Sequence, residues 1–393
     1  MNQSAEVLFK LIRIALGKEG LTPSPSPEGE GSFALPAAVD WKTVIDMSFE
    51  QGVAALAVDG LQRIYDRLEV SGERLACLED LDSPELEDLK YEWFGEVMNC
   101  EQDYEAYRQT IAHLAKVYEE RGFGMMLLKG FGLSLNYPVP SHRPTGDIDI
   151  YNFGQWREAD KAIEALGIEI DNSHHHHTVF NFEGQMVENH YDFINVHSHL
   201  SNRKIEAAFK AMAEDRTKAV RYTFPDGTGM YLPSADLNAL FTLRHCALHF
   251  ASEEMTLRQL LDWALFVDRH SGEVDWDFFW KQTEMMGMTK FALCMCSIAG
   301  QRLGMDEAVF HIPERFAAFA SNEAALVERV LEDILHPEFD EASGKGVVRY
   351  IWSRSRRWWH NRWKHRLVYS DSLLSTFLVQ IWSHLLKPST LRG

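Results

Sequence analysis

The residues with the clearest chemical potential are two aspartates, Asp147 and Asp149, in the stretch DIDIY at residues 147–151. Charged and apolar residues alternate there, the period of a strand with one face buried. Both carboxylates therefore project from one face, and Ile148 and Ile150 from the other. Two carboxylates placed side by side repel unless a cation lies between them. All-oxygen ligation suits Mg²⁺, which takes one or two carboxylates together with substrate phosphates. On this view neutralising Asp149 should leave the metal-free protein as stable as before, or slightly more so. The plain alternative is a strand end with two solvated aspartates, and D-x-D alone does not separate the two.

The neighbouring segments bear on that choice. Upstream, the apolar run FGMMLL at residues 123–128 leads into Lys129-Gly130, which reads as a buried strand turning into a helix. Backbone N–H groups at such a turn can cradle phosphate. Downstream, residues 177–182 and 185–193 read as two strands joined by a tight Glu183-Gly184 turn. Met186, Glu188, His190 and Asp192 share a face of the second, so Glu188 offers a third carboxylate from an adjacent strand. Three acids can hold two metal ions at the separation that suits in-line phosphoryl displacement.

These short strands need a scaffold, and the rest of the chain reads as helices. Residues 1–20 suit a short amphipathic helix, residues 21–32 (LTPSPSPEGEGS) a loop, and residues 41–68 carry apolar residues at helical spacing. Residues 86–120 keep a three-to-four spacing from Leu86 to Tyr118 and predict one long helix, with Gly122 as its stop. Residues 156–166 form another helix. Beyond Asp236, residues 237–250, 257–268, 278–303 and 324–335 are helix candidates. The expected fold class is α+β: a small mixed-sheet core at residues 121–232, flanked by helical regions at 1–120 and 233–393.

Bulk properties limit the function classes. The 393 residues are enough for two or three domains, and the formal net charge is −19. That charge repels phosphate backbones at long range and makes an extended duplex an unsuitable partner. Five cysteines without a disulfide spacing suggest buried free thiols and a reducing, cytoplasmic setting. No uncharged stretch reaches the roughly 20 residues a membrane helix needs.

The run LLKGFGLSLNYPVPSHRPTGDIDIY, followed by VENHYDF, resembles the signature of a bacterial family of uncharacterised nucleotidyltransferases of the DNA polymerase β superfamily. It is also similar to the nucleotidyltransferase toxins of abortive-infection systems. The likeness covers roughly residues 120–265. It implies a polymerase β-like core, Asp147 and Asp149 as ligands of Mg²⁺ (or Mn²⁺), and Glu188 as third ligand. It further implies Gly130 in the phosphate turn, Lys129 and Arg143 near the triphosphate, and an NTP as substrate. The reaction implied is transfer of an NMP group to an acceptor hydroxyl or phosphate with release of pyrophosphate. The chain departs from the superfamily at Phe131, where a glycine or a phosphate-touching serine is usual; Thr145 and Ser134 are the nearby hydroxyls that could replace it.

Other signals leave alternatives open. The run His174 to His177 is either a solvated strand edge or a group near the nucleotide, and His190 shares the face of Glu188. His245 and His249, four apart on a helix, have a zinc-compatible spacing, though a buried pair explains them equally. Asp262 reads as a helix-packing polar residue. The arginines and tryptophans from Arg349 to Arg366 fit packing on the helical region, a polynucleotide acceptor, or an anionic membrane surface. Two rival functions follow: a nucleotide-binding or regulatory protein with a decayed site, and a histidine-based metal hydrolase.

Overall fold

The computed structural model describes residues 2–20, 35–72, 74–252, 254–337, 356, 359, 361–372 and 376. Its centre is a six-stranded mixed sheet: β1 (Met126–Leu127), β2 (Ile148–Tyr151), β3 (His177–Phe182), β4 (Gln185–His190), β5 (Val220–Thr223) and β6 (Gly229–Leu232), in the order β3-β4-β2-β1-β6-β5. The β2–β4 and β1–β6 pairs are parallel and the rest antiparallel. The result is an α+β fold.

Helices cover both faces of the sheet. Helices α1 (Gln3–Ala15), α2 (Trp41–Glu50), α3 (Ala54–Ser71) and α4 (Ala76–Leu81) precede the long α5 (Glu87–Glu120). The short α6 (Phe131–Ser134) follows β1, α7 (Trp156–Glu164) follows β2, and α8 (Asn202–Glu214) precedes β5. The C-terminal part contains α9 (Ala235–Ser252), α10 (Leu257–His270), α11 (Trp276–Met286), α12 (Thr289–Leu303), α13 (Phe319–Asn322), α14 (Ala324–Leu335) and α15 (Arg362–Val368). No described helix is long and apolar enough to cross a membrane.

Alternation along the strands divides the apolar residues between two cores. Ile148, Ile150 and Val187 join Phe180 and Phe182 in a core closed by the C-terminal half of α5 (Tyr107, Ile111, Leu114, Tyr118) and by Ala159 and Ile163 of α7. The other sheet face, with Met126, Leu128 and Tyr151, belongs to a larger core shared by the N-terminal and C-terminal helices. Asp149 points to this second face, so the site lies between the sheet and the helices α9 and α10.

Several helix boundaries differ from the spacing-based expectation because of backbone geometry. Residues 41–68 form two helices, broken where Gly52 takes φ +65°. Residues 278–303 likewise split at Gly287, which caps α11 with φ +73°. The strand expected over residues 123–128 pairs only at Met126 and Leu127. The β3–β4 turn takes positive φ at both Glu183 and Gly184, the geometry of a two-residue hairpin. All five cysteines are buried and unpaired. Of the Arg/Trp-rich segment, Arg349, Trp352, Arg354, Arg357 and Trp358 lie outside the described residues. Trp363, which is described, packs edge-on against Phe250 with Arg329 over its ring.

One buried ion pair fixes the sheet relative to the helical region. Arg143 donates from Nε and Nη2 to the two carboxylate oxygens of Asp262 on α10, at 2.7 and 2.8 Å, and from Nη1 to the carbonyl of Pro144. Tyr137 donates its hydroxyl to the same carboxylate at 2.9 Å. Both charged groups are almost fully buried, and removing one member of such a pair leaves the other uncompensated. Asp262→Ala should therefore destabilise the fold by about 3–5 kcal/mol in urea melts, and the double change Arg143→Met/Asp262→Leu should recover much of that. A loss below about 1 kcal/mol in the single variant would show that the pair does not hold the two parts together.

Candidate active site

Three adjacent strands supply the polar groups of the site. The parallel register sets Asp149 of β2 opposite Glu188 of β4, and Tyr151 opposite His190. On the other side of β2, Leu128 donates its amide to the carbonyl of Asp149 at 3.0 Å. This places the next residue, Lys129, against the same carboxylate. Asp149 is thus held from both sides, by Lys129 Nζ at 2.8 Å and His190 Nε2 at 3.0 Å. His190 Nε2 is also 3.4 Å from Glu188 Oε2.

This ion cluster determines the protonation states. Burial alone would raise the pKa of Asp149, but Lys129 and His190 outweigh it and hold the group far below the usual carboxylate range. Burial likewise opposes charge on His190, yet its bonds to Asp149 and Glu188 raise its pKa to about 9. Glu188 is held below its ordinary value, the hydrogen bond from His190 overcoming burial. Asp147 differs. Just outside β2, it is exposed, and no described residue pairs with its carboxylate. Its pKa is raised by desolvation and then by the charges of Glu188 and Asp149.

The turn after β1 is built around Tyr107 of α5. The Tyr107 hydroxyl donates to the carbonyl of Asp147 at 3.0 Å, fixing the backbone just before β2. Gly130 takes φ +56°, and a Cβ there would lie 2.2 Å from the Tyr107 hydroxyl oxygen, so only glycine fits. Phe131 turns its ring into the core, stacked on Tyr104 and edge-on to Tyr222. Ser134 is buried and donates to the carbonyl of Phe131, with Tyr104 as a second partner, so it does not replace the missing serine contact. Thr145 is half-buried, two residues before Asp147.

Asp147 and Asp149 open onto a cleft of about 220 Å³; Glu188 and His190 do not line it. One wall comprises Lys129, Gly130, Gly146, Asp147 and Asp149; the other comes from α9 and α10, including His245, His249 and Arg258. Arg143 and Asp262 also line it, paired with each other as described above. His245 is held well below its ordinary pKa by burial and then by the charge of Lys129. Its ring centroid is 4.4 Å from that of His249.

Arg258 was not singled out from the sequence. Its guanidinium makes no ion pair or hydrogen bond with a described residue, and it faces the cleft near Asp147. A local signal does exist: Thr256 and Gln259 form a capping box, so Arg258 is a cation in the first turn of a helix, where the macrodipole disfavours positive charge.

The Asp149 and Glu188 oxygens lie with a His190 nitrogen within 4.8 Å of one another, a group whose two carboxylates suit a hard divalent cation. The Asp147 carboxylate lies outside that group and acts on it through charge. Lys129 and His190 supply the positive charge that these carboxylates otherwise lack.

The protein is a nucleotidyltransferase by family. The family model described as "Uncharacterised nucleotidyltransferase" matches residues 37–304, and the chain belongs to that family. Searches of curated proteins and of solved structures returned no significant match.

The sequence led us to expect that neutralising Asp149 would cost nothing in the metal-free protein; the geometry reverses this for Asp149 and assigns that behaviour to Asp147. Asp149→Asn strands Lys129 and His190⁺ without their shared anion and should lower stability by roughly 1–3 kcal/mol. Asp147→Asn relieves repulsion, and its melting temperature should hold or rise. The His190 contribution has a defined sign. Its pKa is higher folded than unfolded, so the stability it adds is complete below pH 6.5 and lost as pH rises through about 9. An NMR titration should show His190 near 9 in wild type and falling back toward 6.5 in Asp149→Asn. Equal melting of the two variants would remove the distinction between the aspartates.

Proposed function

We propose that this nucleotidyltransferase is a Mg²⁺-dependent (or Mn²⁺-dependent) enzyme of the polymerase β type, acting in the cytoplasm. It transfers an NMP group from an NTP to an acceptor hydroxyl or phosphate. Residues 121–232 form its catalytic core, the helical region 1–120 packs against it, and the helical region 233–393 closes the cleft. The observation that carries this reading is the β2–β4 register, which sets Asp149 opposite Glu188, together with the cleft that Asp149 shares with Asp147, Lys129 and Arg258.

In the proposed reaction the acceptor oxygen attacks the α-phosphorus, the bond to the β-phosphate oxygen breaks, and pyrophosphate leaves. Asp147, Asp149 and Glu188 hold the metal, which when bound neutralises the triphosphate and orients it for in-line displacement. Arg258 contacts the β- and γ-phosphates, and Lys129 lies at the α-phosphate end, next to the turn at Gly130. Arg143 acts on the nucleotide through the wall it builds with Asp262. His190 keeps Asp149 and Glu188 ionised and correctly turned. Glu188, the less enclosed of the two carboxylates bound by His190, takes the acceptor proton.

Calorimetry with each NTP, with and without Mg²⁺, tests the binding half. Affinity should rise with Mg²⁺, lose that dependence in Asp147→Asn, and fall about 10-fold or more in Arg258→Ala, as for loss of a charged hydrogen bond. Label transfer from an α-labelled NTP into extract components tests the chemistry, which Glu188→Gln should abolish. NTP binding that ignores both Mg²⁺ and Asp147→Asn, without transfer, would favour a binding or regulatory protein.

A further inference from the structure

Next to the carboxylates lies a group of three imidazoles, two of which, His176 and His177, have no part in the proposed nucleotidyl reaction. Nitrogens of His176, His177 and His190 lie within 4.8 Å of one another. His177 and His190 are directly opposite in the antiparallel β3–β4 pair, so they share a face. Glu188, two residues before His190, shares it too. Its Oε2 is 3.6 Å from His177 Nδ1 and 3.4 Å from His190 Nε2. His176 precedes the strand, and its carbonyl is fixed by the amides of Tyr191 and Asp192. Its ring centroid is 4.4 Å from that of His177 and 5.6 Å from that of His190.

The hydrogen bonding of this group is incomplete. His177 is only 6% exposed, yet neither of its ring nitrogens makes a hydrogen bond, and the buried Nδ1 of His176 makes none either. Each buried polar atom left without a partner costs about 1–3 kcal/mol, so several gathered in one place point to a ligand that completes them.

We propose that His176, His177 and His190, with Glu188, bind a transition-metal dication of the Zn²⁺ type. Imidazole nitrogens suit Zn²⁺, Cu²⁺ or Ni²⁺, whereas Mg²⁺ prefers oxygen. Tetrahedral zinc with Zn–N of about 2.0–2.1 Å places its ligand atoms roughly 3.3–3.5 Å apart. The His177–Glu188 and His190–Glu188 pairs are already near that spacing, and the three imidazole nitrogens, within 4.8 Å of one another, need only small side-chain shifts to reach it. The site itself does not depend on the nucleotidyl reading. Its consequence does: a metal here takes His190 from Asp149 and Glu188 from the catalytic carboxylates, so occupancy opposes Mg²⁺-NTP binding.

The test uses the full chain after chelator treatment. Zn²⁺ calorimetry in excess Mg²⁺ should show one tight site, and Co²⁺ substitution should give the intense visible absorption of a four-coordinate ion. His177→Ala and His176→Ala should each weaken Zn²⁺ binding by about 100-fold or more, at or beyond the loss seen for outer-shell ligand partners. The pair His174→Ala/His175→Ala and the single change His249→Ala should leave it nearly unchanged. Binding that survives His177→Ala, or that is lost with His249 or with the His174/His175 pair, overturns the assignment. If the His177 variant does not fold, the wild-type Co²⁺ spectrum and His176→Ala still decide, and a weak six-coordinate spectrum refutes the site.

Discussion

A carboxylate buried at the centre of a sheet needs charge partners that are also buried, and Asp149 meets that need from both neighbouring strands. Lys129 reaches it from the end of β1 and His190 from the end of β4. Removing an isolated ion from water costs several kcal/mol, so this arrangement is stable only if all three strands keep their register. A slip of one residue in β4 would turn Glu188 and His190 to the opposite face and bring Val187 and Asn189 to the carboxylate. The central position of β2, between β1 and β4, follows from the same requirement. Hydrophobic packing of Ile148 and Ile150 on the far face then fixes which side the aspartates take.

The two aspartates have different tasks because one lies inside the ladder and the other outside it. Asp149 is paired on both sides and fully ionised, a fixed point of negative charge. Asp147 has its carbonyl tied to Tyr107 while its side chain remains unpaired beside two other acids. Tyr107 links the two halves of the site, since the hydroxyl that anchors Asp147 is also the atom that requires glycine at position 130. The Gly130 turn and the carboxylate strand are therefore positioned by one side chain of α5, from the far side of the sheet.

What the sequence revealed depended on how local the cause was. Period-two alternation was enough for β2 and the β3–β4 hairpin, and three-to-four spacing for α5 and α7, because each buries a face against one core. The hairpin of β5 and β6 escaped notice: Val220–Thr223 is mostly exposed, at the sheet edge, and carries no buried alternation. The helix α8 was missed as well. At the site, the carboxylates could be read from spacing two and from the family resemblance. The pairing of Arg143 with Asp262 spans 119 residues and leaves no local mark. Hence the sequence offered Arg143 as a candidate phosphate contact and Asp262 as a helix-packing residue without linking them, and only the structure shows that they are partners.

That pairing also separates the roles of the cations in the cleft. Arg143 is neutralised by Asp262 and acts as a strut. Lys129 is engaged with Asp149, and Arg258 has no described partner, at the start of a helix whose dipole works against it. A phosphate arriving there relieves both the unpaired charge and the dipole conflict, so Arg258 gains most from an anion. The net charge of −19 works against polyanions over the whole surface, whereas Arg258 acts only at contact range, within the roughly 8 Å over which salt screens exposed charges. A compact triphosphate accompanied by its own cation meets little of that repulsion. A long nucleic-acid backbone meets all of it.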